Sequence, residues 1–221
     1  MFVGHYAAAI AAKAVEPRAP LWTCVAGCQL LDIVWGVGVA TGLEKVRFDP
    51  ALPGNPFDLT FMPYSHSLPA ALVWAVLALA GVRYLLRLPW TVAMVVGGVV
   101  LSHWVLDLLV HRPDLELWPG GLQAGFGLWN LPLMEMTLEM GLVALAAIAW
   151  TSCLKSAGSR AVNALAFVAI LIAIQLLADL PIKTDPGAVA VGVTAVLSGL
   201  VVTALSLLFD KPRPRSSQFR R

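Results

Sequence analysis

Three ionisable side chains recur at four-residue spacing near the end of one apolar run: His103, Asp107 and His111. Residues four apart on a helix lie one above the other, so a helix here presents imidazole, carboxylate and imidazole on a single stripe. Pro113 stops that helix just beyond. Imidazole nitrogen and carboxylate oxygen are ligands for zinc and several other first-row ions. Ionisable residues within a membrane segment face the protein interior or a water-filled cavity, and mark sites. The competing reading is an intrahelical hydrogen bond between His103 and Asp107. Other ionisable groups at similar depth favour the metal.

Those groups come from four further stretches. His66 stands in Tyr64-Ser65-His66-Ser67, Asp32 lies near the middle of an apolar run, His5 sits in a short one, and Glu135 and Glu139 repeat the four-residue spacing. Counting about 1.5 Å of rise per residue brings His5, Asp32, His103, Asp107 and Glu139 to a common depth, with His66 and His111 nearer the mouth. Depth alone leaves open whether the helix faces meet. Each residue also has a plainer reading. Asp32 can be satisfied by Trp35, His66 and His111 can be interfacial, and His5 can be solvated. Glu139 or Glu135 is the candidate general base, or a further metal ligand. Arg112 offers a guanidinium fork for a phosphate oxygen, with His111 beside it as a substrate contact, or is a plain interfacial arginine. Cys24, Cys28 and Asp32 share a face, but buried thiols read as packing.

Positioning such residues requires a membrane bundle. The chain has 221 residues, of which 59% are hydrophobic and 13% charged, and its mean hydropathy is +0.80. Soluble domains carry about 25% charge. The expected fold is all-α: a polytopic membrane bundle of about six spans preceded by a short half-helix, forming one domain over residues 1–210. Residues 2–15 are too short to cross, since a span needs about 20 apolar residues. The spans fall near 21–43, 67–86, 90–111, 129–154, 161–180 and 187–209, and the last two carry no chemistry of their own. Residues 44–66 form a polar, proline-rich loop, and 112–128 a loop rich in glycine and tryptophan. Gly38 and Gly42 have the GxxxG spacing common in membrane helix contacts. The glycines at 120–127 read as a turn or lid, not a nucleotide loop. Three cysteines give no disulfide framework, and no basic n-region precedes the first apolar run, so no cleavable signal peptide is expected.

Six spans put both termini on one side, together with eleven of the fifteen basic residues, five of them in the tail at 211–221. The positive-inside rule makes that side cytoplasmic. A net charge of +2 gives no reason to expect nucleic acid as a partner.

Gly4-His5-Tyr6, Leu31-Asp32, Tyr64-Ser65-His66-Ser67-Leu68, Ser102-His103-Trp104-Val105-Leu106-Asp107 and His111-Arg112-Pro113-Asp114 together resemble a family of bacterial inner-membrane metal-dependent hydrolases. The resemblance spans roughly residues 1–150. It implies a metal site of His5, Asp32, His66, His103 and Asp107, with Glu139 at the acidic position that follows. A more distant similarity is to zinc-dependent phospholipase C, whose core helices carry His-x-x-x-Asp and His-x-x-x-Glu pairs. Only His103 and Asp107 match that pattern, because Glu139 has Glu135 four residues before it in place of histidine.

The resulting expectation is a membrane-embedded hydrolase using a divalent metal, zinc by preference, on a phospholipid or other amphipathic ester. The bacterial inner membrane is the expected location. The alternatives are a proton- or ion-coupled transporter, which would show a repeat between halves, and a non-catalytic protein held together by its buried charges. No such repeat is visible.

Overall fold

A computed structural model describes residues 2–154, 158–178 and 180–209. The basic tail expected at 211–221 lies outside the described residues. Among the described residues eight α-helices follow in order: α1 (His5–Val15), α2 (Leu21–Cys28), α3 (Leu30–Thr41), α4 (Leu68–Ala80), α5 (Trp90–Val110), α6 (Pro132–Ser152), α7 (Ser159–Ala178) and α8 (Ala188–Ser206). Five crossing segments are long and apolar enough for a membrane, or six if the bent pair α2 and α3 counts as one. The chain is a multi-pass membrane helix bundle, all-α in class.

The first expected span is broken. Gln29 separates α2 from α3, and their axes differ by 46°. Cys28 ends α2, so its carbonyl is among the helix-end acceptors that lack an intrahelical donor. The second span starts as a helix should: Ser67 caps α4 by accepting from the Ala70 N–H at 3.3 Å, and Pro69 stands in the first turn. It ends in a π-helical turn, Gly81–Leu85.

α1 does not lie on the surface. Tyr6, Ala9 and Ile10 are fully buried, and the helix packs against α6, α2 and α5. Its start is held by Glu139 of α6, whose Oε1 accepts from the Phe2 N–H at 2.9 Å and Oε2 from the Gly4 N–H at 2.8 Å. A carboxylate at a helix N-terminus satisfies orphan donors and complements the dipole.

The 44–66 loop has more structure than its prolines suggest. β1 (Lys45–Phe48) pairs antiparallel with β2 (Phe57–Phe61), with Arg47 opposite Asp58 and an irregularity between Lys45 and Arg47. The second loop folds back on α5. Its Phe126 and Gly127 N–H groups donate to the carbonyls of Leu108 and His111 at 2.8 and 2.6 Å. Gly125 has φ 154°, and a side chain there would strike the His111 and Arg112 carbonyls. Gly125 and Gly127 therefore sit against the end of α5.

The expected close-contact face at Gly38 and Gly42 is replaced by another. Gly38 lies against the Glu44 side chain, and Gly42 ends α3 in the left-handed conformation with φ 80°. A close helix–helix backbone approach is instead that of Gly36 of α3 against Gly192 of α8. A Cβ on Gly36 would come within 2.6 Å of the Gly192 carbonyl oxygen, and one on Gly192 would strike the Gly36 carbonyl.

Candidate metal centre

The four histidines of the chain converge on one carboxylate. α5 supplies Asp107 at the centre, because the four-residue spacing puts His103, Asp107 and His111 on its inward stripe. Asp107 Oδ1 lies 3.0 Å from His5 Nε2 and 3.5 Å from His111 Nε2. Its Oδ2 lies 3.0 Å from His103 Nε2 and 3.5 Å from His66 Nε2. Asp32 Oδ1 completes the nest at 3.6 Å from both His66 and His103 Nε2. The His5 and His103 rings stack at 3.6 Å.

The rings are held from behind. His103 Nδ1 is 2.6 Å from the Cys28 carbonyl, the acceptor exposed where α2 ends. A carbonyl can only accept, so Nδ1 carries the proton and Nε2 presents its lone pair. His111 Nδ1 is 2.8 Å from Asp114 Oδ1, and its ring lies 4.0 Å from that of Trp129. His66 Nδ1 is 2.7 Å from Ser65 Oγ, whose hydroxyl donates to Glu44 Oε2 at 2.7 Å. Glu44 Oε1 also accepts from the Tyr64 and Ser65 N–H groups, each at 2.9 Å. Burial pushes the Glu44 carboxyl up, while the hydrogen bonds from Ser65 and Tyr64 pull it back. Trp104 Nε1 donates to the His66 carbonyl at 2.8 Å, fixing the turn that carries the ring. A second hydrogen bond on the far ring nitrogen, setting tautomer and direction, is how metal-binding histidines are held.

The near nitrogens are a different matter. Nε2 of His103 and both ring nitrogens of His5 are buried and make no hydrogen bond among the described residues. They sit close to Asp107 without the alignment a hydrogen bond needs. Converging lone pairs of this kind are what a cation relieves. Two groups meet the distance requirement for an ion: His5, His103 and Asp107, and Asp32, His66 and His103. The donor set of imidazoles and carboxylates suits zinc and other first-row ions.

The residues expected as metal ligands, His5, Asp32, His66, His103 and Asp107, therefore come together. His111, expected as a substrate contact, stands in the same nest. Three other assignments change. Glu139 is fully buried with both oxygens on the backbone N–H groups of Phe2 and Gly4 just before α1, so it positions His5 and is not poised as a general base. Glu135 lines a neighbouring recess with Pro132 and Met136, apart from the nest. Arg112 does not present an open fork. Its Nη2 donates to the Pro53 and Asn55 carbonyls at 2.9 and 3.0 Å, and its Nε to Asn130 Oδ1 at 3.0 Å. It clasps the tip of the β1–β2 connection over the nest. Sequence reasoning missed Glu44, Ser65 and Asp114 as supports. Their signals were local: a hydroxyl next to His66, and a carboxylate three residues after His111.

The nest opens into a cavity of about 600 Å³. Asp32, His66, Asp107 and His111 line one side. The opposite wall comes from the α7–α8 pair, including Ala178, Val191, Thr194 and Ser198. The last two spans, expected to be inert, thus shape the space in front of the nest.

Comparison with family models, with curated proteins and with solved structures gave no match.

Proposed function

We propose that the chain is a membrane-embedded metal-dependent hydrolase acting on an amphipathic ester. The observation that carries this reading is the convergence of four imidazoles on Asp107, three of them braced at Nδ1 with Nε2 turned inward. His5, Asp32, His66, His103 and Asp107 would hold a divalent ion, zinc by preference, with His111 at the rim of the set. Such an ion supplies Lewis acidity to an ester and makes water a nucleophile at neutral pH.

The chain's own groups do the rest. The Asp32 side chain is 25% exposed toward the cavity, whereas that of Asp107 is 2% exposed. Asp32 is therefore the member of the proposed ligand set with an edge open to the cavity, where an incoming ester would meet it. The Ser65–Glu44 relay keeps His66 aimed. Trp129 and the clasped hairpin cover the nest on the loop side. The resemblance to inner-membrane hydrolases belongs to the same proposal, as does a bacterial inner membrane with both termini cytoplasmic. That orientation puts the nest toward the outer leaflet.

The test is the metal content of detergent-purified protein by mass spectrometry, for wild type beside His103→Ala and Asp107→Ala. One or more equivalents of zinc or a similar ion in wild type, lost in both variants, is the expected result. Wild type that stays metal-free after incubation with zinc, manganese and iron would sink the reading.

A further inference from the structure

α7 and α8 are consecutive spans joined through residues 179–187, yet they barely touch. Helices with a short joint ordinarily pack on each other as antiparallel neighbours. Here α7 packs on α6, while α8 packs on α3 and α2, held there by the crossing of Gly192 and Gly36. The pair closes only at the end away from the joint. Phe167 of α7 lies 5.5 Å, ring to ring, from Phe209 just beyond α8, and Leu171 and Val202 belong to the same buried cluster. Toward the joint the helices part: Leu171 is 0% exposed and Leu177 67%.

The gap between them is the cavity in front of the nest. Ala190, Thr194 and Ser198 line it from α8 at four-residue spacing, a single stripe about 12 Å long at the helical rise. Leu177 and Ala178 line it from α7, and Leu180 and Ile182 from the joint. Its inner end is polar, with Asp32, His66, Asp107 and His111, and its outer end is apolar and exposed. Among the described residues no lysine or arginine lines it. Polarity therefore runs from the nest outward as it does from the ester to the chain of a lipid. The α8 stripe lies inside a segment long and apolar enough to span, so the medium at the outer end is hydrocarbon. A partner's transmembrane helix does not fit. A helix is about 10–12 Å across with its side chains, so even two turns of one exceed the 600 Å³ present. That volume falls within the range of about 300–1,000 Å³ that suits small ligands.

We infer that the gap between α7 and α8 is a lateral portal that admits an acyl chain of a bilayer lipid and lays its ester end against the nest. What then happens to the ester rests on the hydrolase reading; the binding stands by itself. The ligand reaches the nest from the membrane and not from water.

The experiment uses the full chain in nanodiscs of palmitoyl-oleoyl phosphatidylcholine doped with the same lipid carrying a mid-chain diazirine. After irradiation the labelled residues are mapped by mass spectrometry, and metal content is measured on the same samples. The reference is the outward face of α4, where Val76 is 63% exposed and lines neither cavity. Ala178, Ala190 and Thr194 are expected to carry at least about tenfold more label than Val76, because a held chain stays while a boundary lipid exchanges. Thr194→Trp plugs the gap and should cut the label at Ala178 and Ala190 about tenfold. Val193→Trp, one residue round the helix and off the cavity lining, should leave that label unchanged, and both variants should retain the ion. Wild type labelled no more at the gap than at Val76, or less because a second protein covers the gap, overturns the inference without any variant. Equal loss of label in Thr194→Trp and Val193→Trp overturns it as well. Protein that holds its ion without excess label at the gap refutes this inference alone. Protein that is labelled at the gap but holds no ion refutes the hydrolase reading and leaves the portal standing.

Discussion

α5 and α8 are both apolar helices of near-equal length, 21 and 19 residues; α5 runs through the core and α8 packs on its flank with most of its surface exposed. α5 carries a histidine and an aspartate within it and a second histidine at its end, every one of them buried and contacted by another element. α8 carries no ionisable residue, yet it makes the most intimate helix crossing, with Gly192 against Gly36 of α3. The first helix positions chemistry through hydrogen bonds to its neighbours' backbone and side chains. The second positions α3, and with it Asp32, by having almost no side chain at the crossing. Direct bracing and close packing are two ways to aim the same nest, and they should fail differently.

The largest effect is expected on the α5 side. Asp107→Ala removes the carboxylate that every imidazole faces, and should abolish ion binding as read by mass spectrometry. Next comes a support behind the ring. Ser65→Ala breaks the link from His66 to Glu44 and should lower ion affinity about 10- to 100-fold, measured by competition with a chelating dye, with a loss of about 1–3 kcal/mol in detergent unfolding because the buried Glu44 Oε2 loses its donor. Gly192→Leu attacks the α8 side. Forcing a side chain between two touching backbones should destabilise the bundle by about 1–3 kcal/mol in detergent unfolding, and ion affinity should fall only as far as Asp32 moves. If Gly192→Leu abolished ion binding while leaving the melting temperature intact, the proposed division of labour would be wrong. The smallest effect is expected from Val193→Leu, 43% exposed on the outward side of α8, which should change stability by less than about 0.5 kcal/mol.

The same contrast explains what could be read from the chain. Rise per residue gives depth, so the amino-acid sequence alone sets His5, Asp32, His103 and Asp107 level. Rotation about each helix axis is set by packing, and the packing of α3 against α8 depends on glycines that carry no distinctive signal. Glu139 shows the cost of depth alone: it is at the right level but turned toward the α1 backbone. Arg112 was read by its chemistry, and its actual acceptors are carbonyls nearly sixty residues earlier, which only a folded hairpin brings near. The break at Gln29 had no proline to announce it. The wall built from α7 and α8 was invisible because it is made of shape, with Ala, Thr and Ser where a larger side chain would close the cavity.

The clamp on α1 also sets an order of events during synthesis. All four histidines, Asp32 and Asp107 lie between residues 5 and 111, whereas Glu139 comes from α6 and the cavity wall from α7 and α8. A growing chain therefore presents most of its ligands before it presents the residue that pins His5. On the proposed reading, His66, His103 and Asp107 would be available to an ion while the bundle still lacks its last three helices, and His5 and Asp32 would be set only once α6 and α8 are made. Nascent chains halted after residue 120 should then retain a divalent ion weakly and chains halted after residue 160 more firmly, which would make ion uptake a step of assembly that precedes closure of the lipid-facing wall.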